Sequence, residues 1–538
     1  MDCSPVAARR ALLGPLALAV SLLGNLAHAQ VLPDPGAVLN EQLRQLDRAA
    51  ARPGAGAPAE VTPPREEVPA EANTPPIAEI QFSRSELLDA QDLRELGNRY
   101  VGRALSSTDL QQLLDDIGLL YRARGVATAA AVLPNQDLRS GRLRVLLVEG
   151  RLGEVQVTAD NGADADWVKQ WFDLPAGEIV RSDALRERLA LFNQVSDMNA
   201  SAGFVPGDQF GVSDLAIELP ATRQLQFWSF IESTQGKDAA GPQRAIGLRA
   251  APLGLRGGRL EAAALASAAG RTVIASASLP LGTQGWRAGA SVAESRSKTR
   301  ISGVLPADEL VLNGHSRTLS FDAAKTWVVG PASLLTTGVT VGTLGSSTDL
   351  ADVQLFRTRV NKTALQAVYN RDTGTSRSLL RSSLVTGRQA SQTFSYLEMA
   401  ASHLQPLAAQ PTWAWRVGGL VRTATKGHTP ASELLQLGGT DTVRGHDAAA
   451  LSGERGYALQ LEWRHAIEQA GGPTLETYAF WDQGRITSGG TEGRLASVGI
   501  GLQVRLSAWA GLDLMGSRQL VHSHGSRNRL TARLVASW

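Results

Sequence analysis

From Ala221 to the C-terminal Trp538 the chain loses helical periodicity and begins to alternate. Tyr457, Leu459, Leu461 and Trp463 are interleaved with Ala458, Gln460, Glu462 and Arg464. Val498, Ile500, Leu502, Val504 and Leu506 are interleaved with Gly499, Gly501, Gln503 and Arg505. The last residues place Leu530, Ala532, Leu534, Ala536 and Trp538 on one face, with Thr531, Arg533 and Ser537 on the other. A period of two is the mark of a strand with two unlike faces. A soluble sandwich shows it too. Here charged residues share the polar face with Gly and Gln over long runs, which suits apolar-out, polar-in strands around a wet lumen. No apolar run after residue 30 approaches the ~20 residues of a spanning helix. Such a chain crosses a membrane as a barrel. Sixteen strands would take roughly 20 residues each, a ~10-residue span with its share of turns. Fourteen or eighteen fit nearly as well. Aromatic residues are only 5% of the chain, so interfacial girdles would be thin.

The N-terminus has a different character. Arg9-Arg10, an apolar stretch from Ala11 to about Leu26 and Ala27-His28-Ala29 form a signal peptide over 1–29. The only cysteine, Cys3, lies inside it, so the mature chain has none, which suits an exported protein. Within residues 30–50, Leu39, Leu43 and Leu46 recur at helical spacing. Residues 51–76 are a Pro/Ala/Glu linker that cannot form a core. A β-α-α-β-β order follows over 77–149 and recurs over 150–220. Its clearest helix carries Leu110, Leu113, Leu114, Ile117 and Tyr121 on one stripe, with Thr108 and Gln111 as its expected capping box and Gly125 as its stop. Two such units are too small to be enzyme domains. Each leaves a strand edge open to an added extended peptide.

The run "YVGRALSSTDLQQLLDDIGLLYRARGVATAAAVLPNQDLRSGRLRVLLVEGRLGEV" (Tyr100–Val155) closely resembles the first POTRA domain of two-partner secretion transporters, the haemolysin and filamentous-haemagglutinin exporters. "FVPGDQFGVSDLAIEL" resembles the end of a second POTRA domain, "LPLGTQGW" an early barrel hairpin, and "GGTDTVRGH" with "FWDQG" the two signatures of the barrel superfamily. The resemblance implies an α+β periplasmic pair of POTRA domains (77–149 and 150–220) ahead of an antiparallel transmembrane β-barrel (221–538) in a Gram-negative outer membrane. It implies that 30–50 is a helix plugging the pore. It also implies a function: export of one large β-helical exoprotein, recognised by its N-terminal secretion domain, through a monomeric barrel in outer-membrane lipid. Two departures stand out. Glu232-Ser233 replaces an Asp-Asn pair at the first strand, and His446 replaces an aromatic after Val-Arg-Gly.

In relatives the Val-Arg-Gly tip folds back into the barrel and its Arg grips an Asp on the wall. Carried over, the latch pairs Arg444 with Asp482, with Val443, Gly445, His446 and Gly484 around it. The alternation of "TLETYAFWDQG" independently turns Glu476, Tyr478, Phe480 and Asp482 toward the lumen, where the two rings could pack the tip. A planar guanidinium holds a carboxylate through two bonds. His446 introduces a group that titrates near pH 6–7.

The remaining constellations are weak. His522 and His524 are two metal ligands without a third. Asp115-Asp116 and Glu66-Glu67 read as solvated faces. No H-E-x-x-H, G-x-S-x-G or nucleotide-binding G-x-x-x-x-G-K-[ST] run is present, so no cofactor, metal site or catalytic residue is expected. A net charge of +2 gives no support to nucleic-acid binding. The rival readings are a BamA-like insertase and an outer-membrane enzyme.

Overall fold

The computed structural model describes residues 34–50 and 74–538, apart from 127, 180, 210, 222–223, 236–240, 255, 269, 302–309, 351–352, 468–473 and 523–525. The signal peptide, most of the linker, Glu66-Glu67 and His524 therefore lie outside the described residues.

Helix α1 (Pro35–Ala50) comes first. The first α+β unit then runs β1 (Glu79–Phe82), α2 (Ala90–Asn98), α3 (Ser107–Ala123), β2 (Ala129–Val132) and β3 (Arg142–Glu149). Its sheet order is β1-β3-β2, with β1 parallel and β2 antiparallel to β3. The stripe read from the sequence is the core: Leu110, Leu113, Leu114, Ile117 and Tyr121 are all buried against the sheet. The helix cap is not where the sequence reading put it. Ser106 is the N-cap; its hydroxyl accepts from Asp109 N at 3.2 Å, and Asp109 Oδ2 accepts from Ser106 N at 3.0 Å. Thr108 therefore lies inside the helix, and Gln111 donates to Asp115 at 3.1 Å. Buried Leu105 and Leu110 flank this box as a hydrophobic staple, which fixes the helix start two residues early. Asp116 is half-buried and accepts from Tyr100 at 2.9 Å, so it belongs only partly to a solvated face.

A second unit repeats the order: β4 (Arg151–Ala159), α4 (Ala165–Trp171), α5 (Ser182–Ser196), β5 (Ser201–Pro206) and β6 (Val212–Leu219), with sheet order β4-β6-β5. Trp167, Trp171, Phe172 and Phe192 fill its core with edge-on and tilted rings 5.5–5.9 Å apart. Burying each such ring contributes on the order of 1.5–3 kcal/mol.

The rest is a closed antiparallel barrel of sixteen strands. In order they are β7 (Leu225–Gln235), β8 (Gln243–Leu253), β9 (Gly258–Ser267), β10 (Gly270–Leu281), β11 (Trp286–Ile301), β12 (Leu310–Gly330), β13 (Ser333–Leu350), β14 (Val353–Asp372), β15 (Arg377–Gln389), β16 (Gln392–Leu407) and β17 (Gln410–Lys426). Two short loop strands, β18 (Leu435–Leu437) and β19 (Leu451–Gly453), intervene. Then come β20 (Arg455–Ile467), β21 (Thr474–Ser488), β22 (Thr491–Arg505), β23 (Ala510–Val521) and β24 (Asn528–Ser537). The barrel closes where β24 pairs with β7, from Leu530↔Gln235 to Ser537↔Trp228. Phe227 and Trp538 exchange backbone bonds of 2.9 Å at the end of that seam and stack. Glu232, one of the two departures, faces Arg533 across it at 3.9 Å.

The alternation assigns the faces. Leu461, Trp463, Ile500, Leu530 and Leu534 point outward and are exposed, while Gln460, Glu462, Asp482 and Ser497 point inward and are buried. Inside, glycines make room for rings: a Cβ on Gly499 would overlap Phe480 and the Gly516 carbonyl, and one on Gly501 would overlap Tyr478. A Cβ on Gly516 would meet nothing within 4 Å. Gly499→Ala should therefore reduce the yield of heat-modifiable, folded barrel several-fold, while Gly516→Ala leaves it unchanged; equal yields would remove this packing account.

Candidate functional site

Between β17 and β20 the chain makes a 28-residue excursion, residues 427–454, that turns back into the lumen. β18 and β19 pair to form its neck, and Leu435, Leu437 and Val443 pack against Ala458, Ile486 and Leu495 of the wall. Val443 is fully buried. It sits against Gly484, where a Cβ would come within 3.0 Å of the Val443 methyl and 2.7 Å of Leu437.

This seat delivers Arg444 to the wall. Its Nε donates to Asp482 Oδ2 and its Nη2 to Asp482 Oδ1, both at 2.7 Å, and its backbone N–H donates to Oδ2 at 3.0 Å. The third guanidinium nitrogen donates to Glu462 Oε1 at 2.6 Å. The guanidinium carbon lies 3.9 Å over the Phe480 ring. Asp482 is wholly buried and Arg444 nearly so. Glu462 also receives Arg416 at 3.0 Å and lies 3.5 Å from Arg464. Charges of both signs are thus interleaved, the condition under which buried ions are tolerated.

The next three residues are also held. Gly445 has φ +81°, where a side chain is strained, and a Cβ there would meet Ser517 at 3.0 Å. Its carbonyl accepts from Gln519 at 2.8 Å. His446 is buried, and its Nε2 lies 3.3 Å from the Ala496 carbonyl, so Nε2–H donates. Asp447 is gripped by both terminal nitrogens of Arg529 at 2.5 and 2.9 Å.

The residues expected to meet do meet, with one exception: Tyr478 donates to Asp513 at 2.8 Å and carries Arg464 rather than the loop tip. Sequence reasoning missed Glu462 and Arg529 as partners. Alternation had put Glu462 on the polar face, but nothing in a strand pattern says which loop residue will reach it. His446 also behaves differently from the sequence expectation. Burial pushes its pKa down, the Ala496 carbonyl works against this, and Arg529 and His522 add to the lowering while Asp447 opposes it. The seated loop therefore holds a neutral imidazole. Its contribution is complete above about pH 6.5 and is lost as pH falls below it, because the released loop then takes up a proton that the seated one resists. His522 approaches Gln519 at 3.1 Å, and no group of three metal-ligating residues occurs among the described residues.

Helix α1 occupies the lumen beside this loop. Leu39 is wholly buried against Ala293, Leu344, Val360 and Phe394 of the inner wall. Gln42 accepts from Ser295 at 3.1 Å and from Thr272. Asn40 donates to the Ser432 carbonyl at 2.7 Å and Arg44 to Gln436 at 2.9 Å, both on the excursion.

A closed barrel with its lumen filled by an N-terminal helix and an inter-strand loop, preceded by a β-α-α-β-β domain, defines an outer-membrane transporter with a periplasmic POTRA region. Residues 76–150 match the ShlB-type POTRA domain. Residues 264–504 match the haemolysin secretion/activation proteins ShlB/FhaC/HecB, and with the POTRA match this is the arrangement of a two-partner secretion outer-membrane transporter. It is 23% identical over 431 residues to the heme/hemopexin transporter protein HuxB of Haemophilus influenzae, covering 76% of this chain and 75% of that one. It is 26% identical over 417 residues to the outer membrane transporter CdiB of Dickeya dadantii, covering 72% of each. Among solved structures, CdiB from Escherichia coli superposes with a TM-score of 0.67 at 18% identity, over 95% of this chain and 100% of that one. BamA from Haemophilus ducreyi lacking POTRA domains 1–3 superposes at 0.58 and 12% identity, over 87% and 100%. The protein is an outer-membrane transporter with its POTRA region in the periplasm, and transporters of this family pair with a cognate exoprotein.

Removing one partner of a buried pair costs about 3–5 kcal/mol, because the other charge is left uncompensated. Arg444→Ala and Asp482→Ala should each lower the thermal stability of the loop seat, read by protease access to residues 427–454, and the double variant should cost less than the sum. Strict additivity would mean the two side chains act independently. Loop release in the wild type should also increase from pH 7 to pH 5, and less so in His446→Phe.

Proposed function

We propose that the protein exports one large, β-helix-rich exoprotein through its barrel, and that α1 and the Arg444 loop are the closed state of that passage. The exoprotein's secretion domain docks as an extended segment on the two β-α-α-β-β units, the second of which we read as a further POTRA domain. Helix α1 is read as a plug that withdraws, and the Arg444–Asp482 pair as a latch that holds the loop in register with the wall. The observation that carries this reading is the double occupancy of the lumen. A sixteen-strand barrel is too wide for wall side chains alone to fill, and here the filling is supplied by two segments that the chain can withdraw without breaking a barrel hydrogen bond. We take the working unit to be a monomer. Folding of the emerged cargo outside is the proposed driving force, since no nucleotide-binding loop is present in the sequence.

The insertase reading is favoured only by the shared BamA fold and has a different phenotype. Deleting the gene should strand one large exoprotein in the periplasm while other outer-membrane barrels stay at normal levels; broad loss of barrels would favour the insertase. Arg444→Ala should leave an inserted barrel and lower secretion at least tenfold, and normal secretion would remove the latch.

A further inference from the structure

The outer wall of the barrel is not uniform at its extracellular end. On β12 the odd-numbered residues face outward: Leu319, Phe321 and Trp327 are all exposed. Trp327, covered by Lys325 at 3.9 Å, marks the periplasmic side. Ten residues further up the strand stands Arg317, also exposed. At about 3.3 Å per residue and roughly 40° of tilt this is about 25 Å of height, the depth of an outer-membrane apolar band. Arg317 thus stands where acyl chains end and headgroups begin on the outer leaflet.

Strand register gathers further cations there. Arg317 pairs with Gly345 of β13, and Gly345 with Arg359 of β14. One row above, Arg296 pairs with His315, His315 with Ser347, and Ser347 with Arg357. Each row therefore sets basic side chains on either side of a small residue on β13. At Gly345 a Cβ would meet nothing within 4 Å, so the space between Arg317 and Arg359 is open. The two arginines are roughly 10 Å apart across two strand spacings. Glu294 stands opposite Arg317 in the lower row but turns to Arg296, at 3.2 Å, and lies 3.9 Å from His315; Asp349 borders the upper row opposite Asn313. Arg317, Arg357 and Arg359 form no ion pair with any described residue. By contrast, Arg485 and Arg494 on β21 and β22 share Glu492. Below the cations the wall turns apolar through Leu319, Phe321 and Val341.

Unpaired guanidiniums at headgroup height, flanking an open notch above an apolar wall, are complementary to one ligand class. We propose that β12–β14 bind a phosphorylated glycolipid of the outer leaflet, with Arg317, Arg357 and Arg359 on its phosphates and its acyl chains against Leu319, Phe321 and Val341. Guanidinium–phosphate pairs are bidentate and charge-assisted. Bound lipid would hold the extracellular ends of these long hairpins while the lumen empties.

The test uses the full-length transporter purified from outer membranes in mild detergent, with bound lipopolysaccharide read by native mass spectrometry. Arg317→Gln/Arg357→Gln/Arg359→Gln should retain at least fivefold less lipopolysaccharide than wild type, and Arg485→Gln/Arg494→Gln should retain as much as wild type. On the wild type alone, bisphosphorylated lipid A should bind at least fivefold more tightly than its dephosphorylated form, and millimolar inorganic phosphate should not displace it. Heat-modifiable migration checks that each variant is folded. Equal retention by the triple variant, equal binding of dephosphorylated lipid A, or displacement by inorganic phosphate would each overturn the proposal.

Discussion

A lipid core offers no partner to a backbone amide, and this chain meets that demand at one seam, the pairing of β24 with β7. Closure removes every sheet edge and fixes which side of each strand meets lipid. It also creates the molecule's second problem. Sixteen strands enclose a lumen whose polar wall must be satisfied without being blocked for good. Serine, threonine, glutamine and ion pairs line it, and α1 and the β17–β20 excursion occupy it. The wall holds these guests by side chains: Ser295 and Thr272 on Gln42, Asp482 and Glu462 on Arg444, and Arg529 on Asp447. The barrel's own hydrogen bonds are left untouched. The hydrogen bonds that close the container are thereby separate from those that hold its contents.

The excursion is the hinge between the two fillings. Its neck carries Ser432 and Gln436, which hold α1, and its tip carries Arg444, which holds the wall. Glu433 lies between them, wholly inside a cluster of Lys362 at 2.7 Å and Tyr396 at 3.0 Å. Below the barrel, Asp197 at the end of α5 is taken by Arg249 and Arg259 of the wall at 2.6 Å each, with Arg287 at 3.3 Å. These cations outweigh burial and hold its carboxyl below the usual range. The second β-α-α-β-β unit is thus fastened to the barrel by charge, in the same manner as the loop is fastened inside it.

Much of this was legible in the sequence because a period of two is a local signal. Residues such as Trp463, Ile500 and Leu534 declared their face, and so did Asp482 and Phe480. The stripe Leu110–Tyr121 declared the core of the first unit. Strand number was bounded by arithmetic and settled only by closure, which depends on pairing between the first and last strands, far apart in sequence. The cap at Ser106 was misread because two overlapping polar pairs fit the same spacing, and the buried Leu105–Leu110 staple chose between them. Glu462 and Arg529 were invisible as partners for the same reason as closure: their contacts cross 18 and 82 residues. His446 looked titratable in isolation, and its surroundings make it resist a proton.

The central claim is that the lumen conducts cargo only after α1 has left it. A Cβ on Gly314 of β12 would lie 2.9 Å from that of Pro35, so a shift of about 1 Å at the start of α1 brings the pair to disulfide separation; the chain's only cysteine, Cys3, is N-terminal to every described residue, and Pro35→Cys/Gly314→Cys therefore offers a lock with little background. The direct measurement is the rate of exoprotein release by this variant, oxidised and then reduced. The account gives arrested secretion with the cross-link formed and recovery on reduction; undiminished secretion through the cross-linked barrel would contradict it.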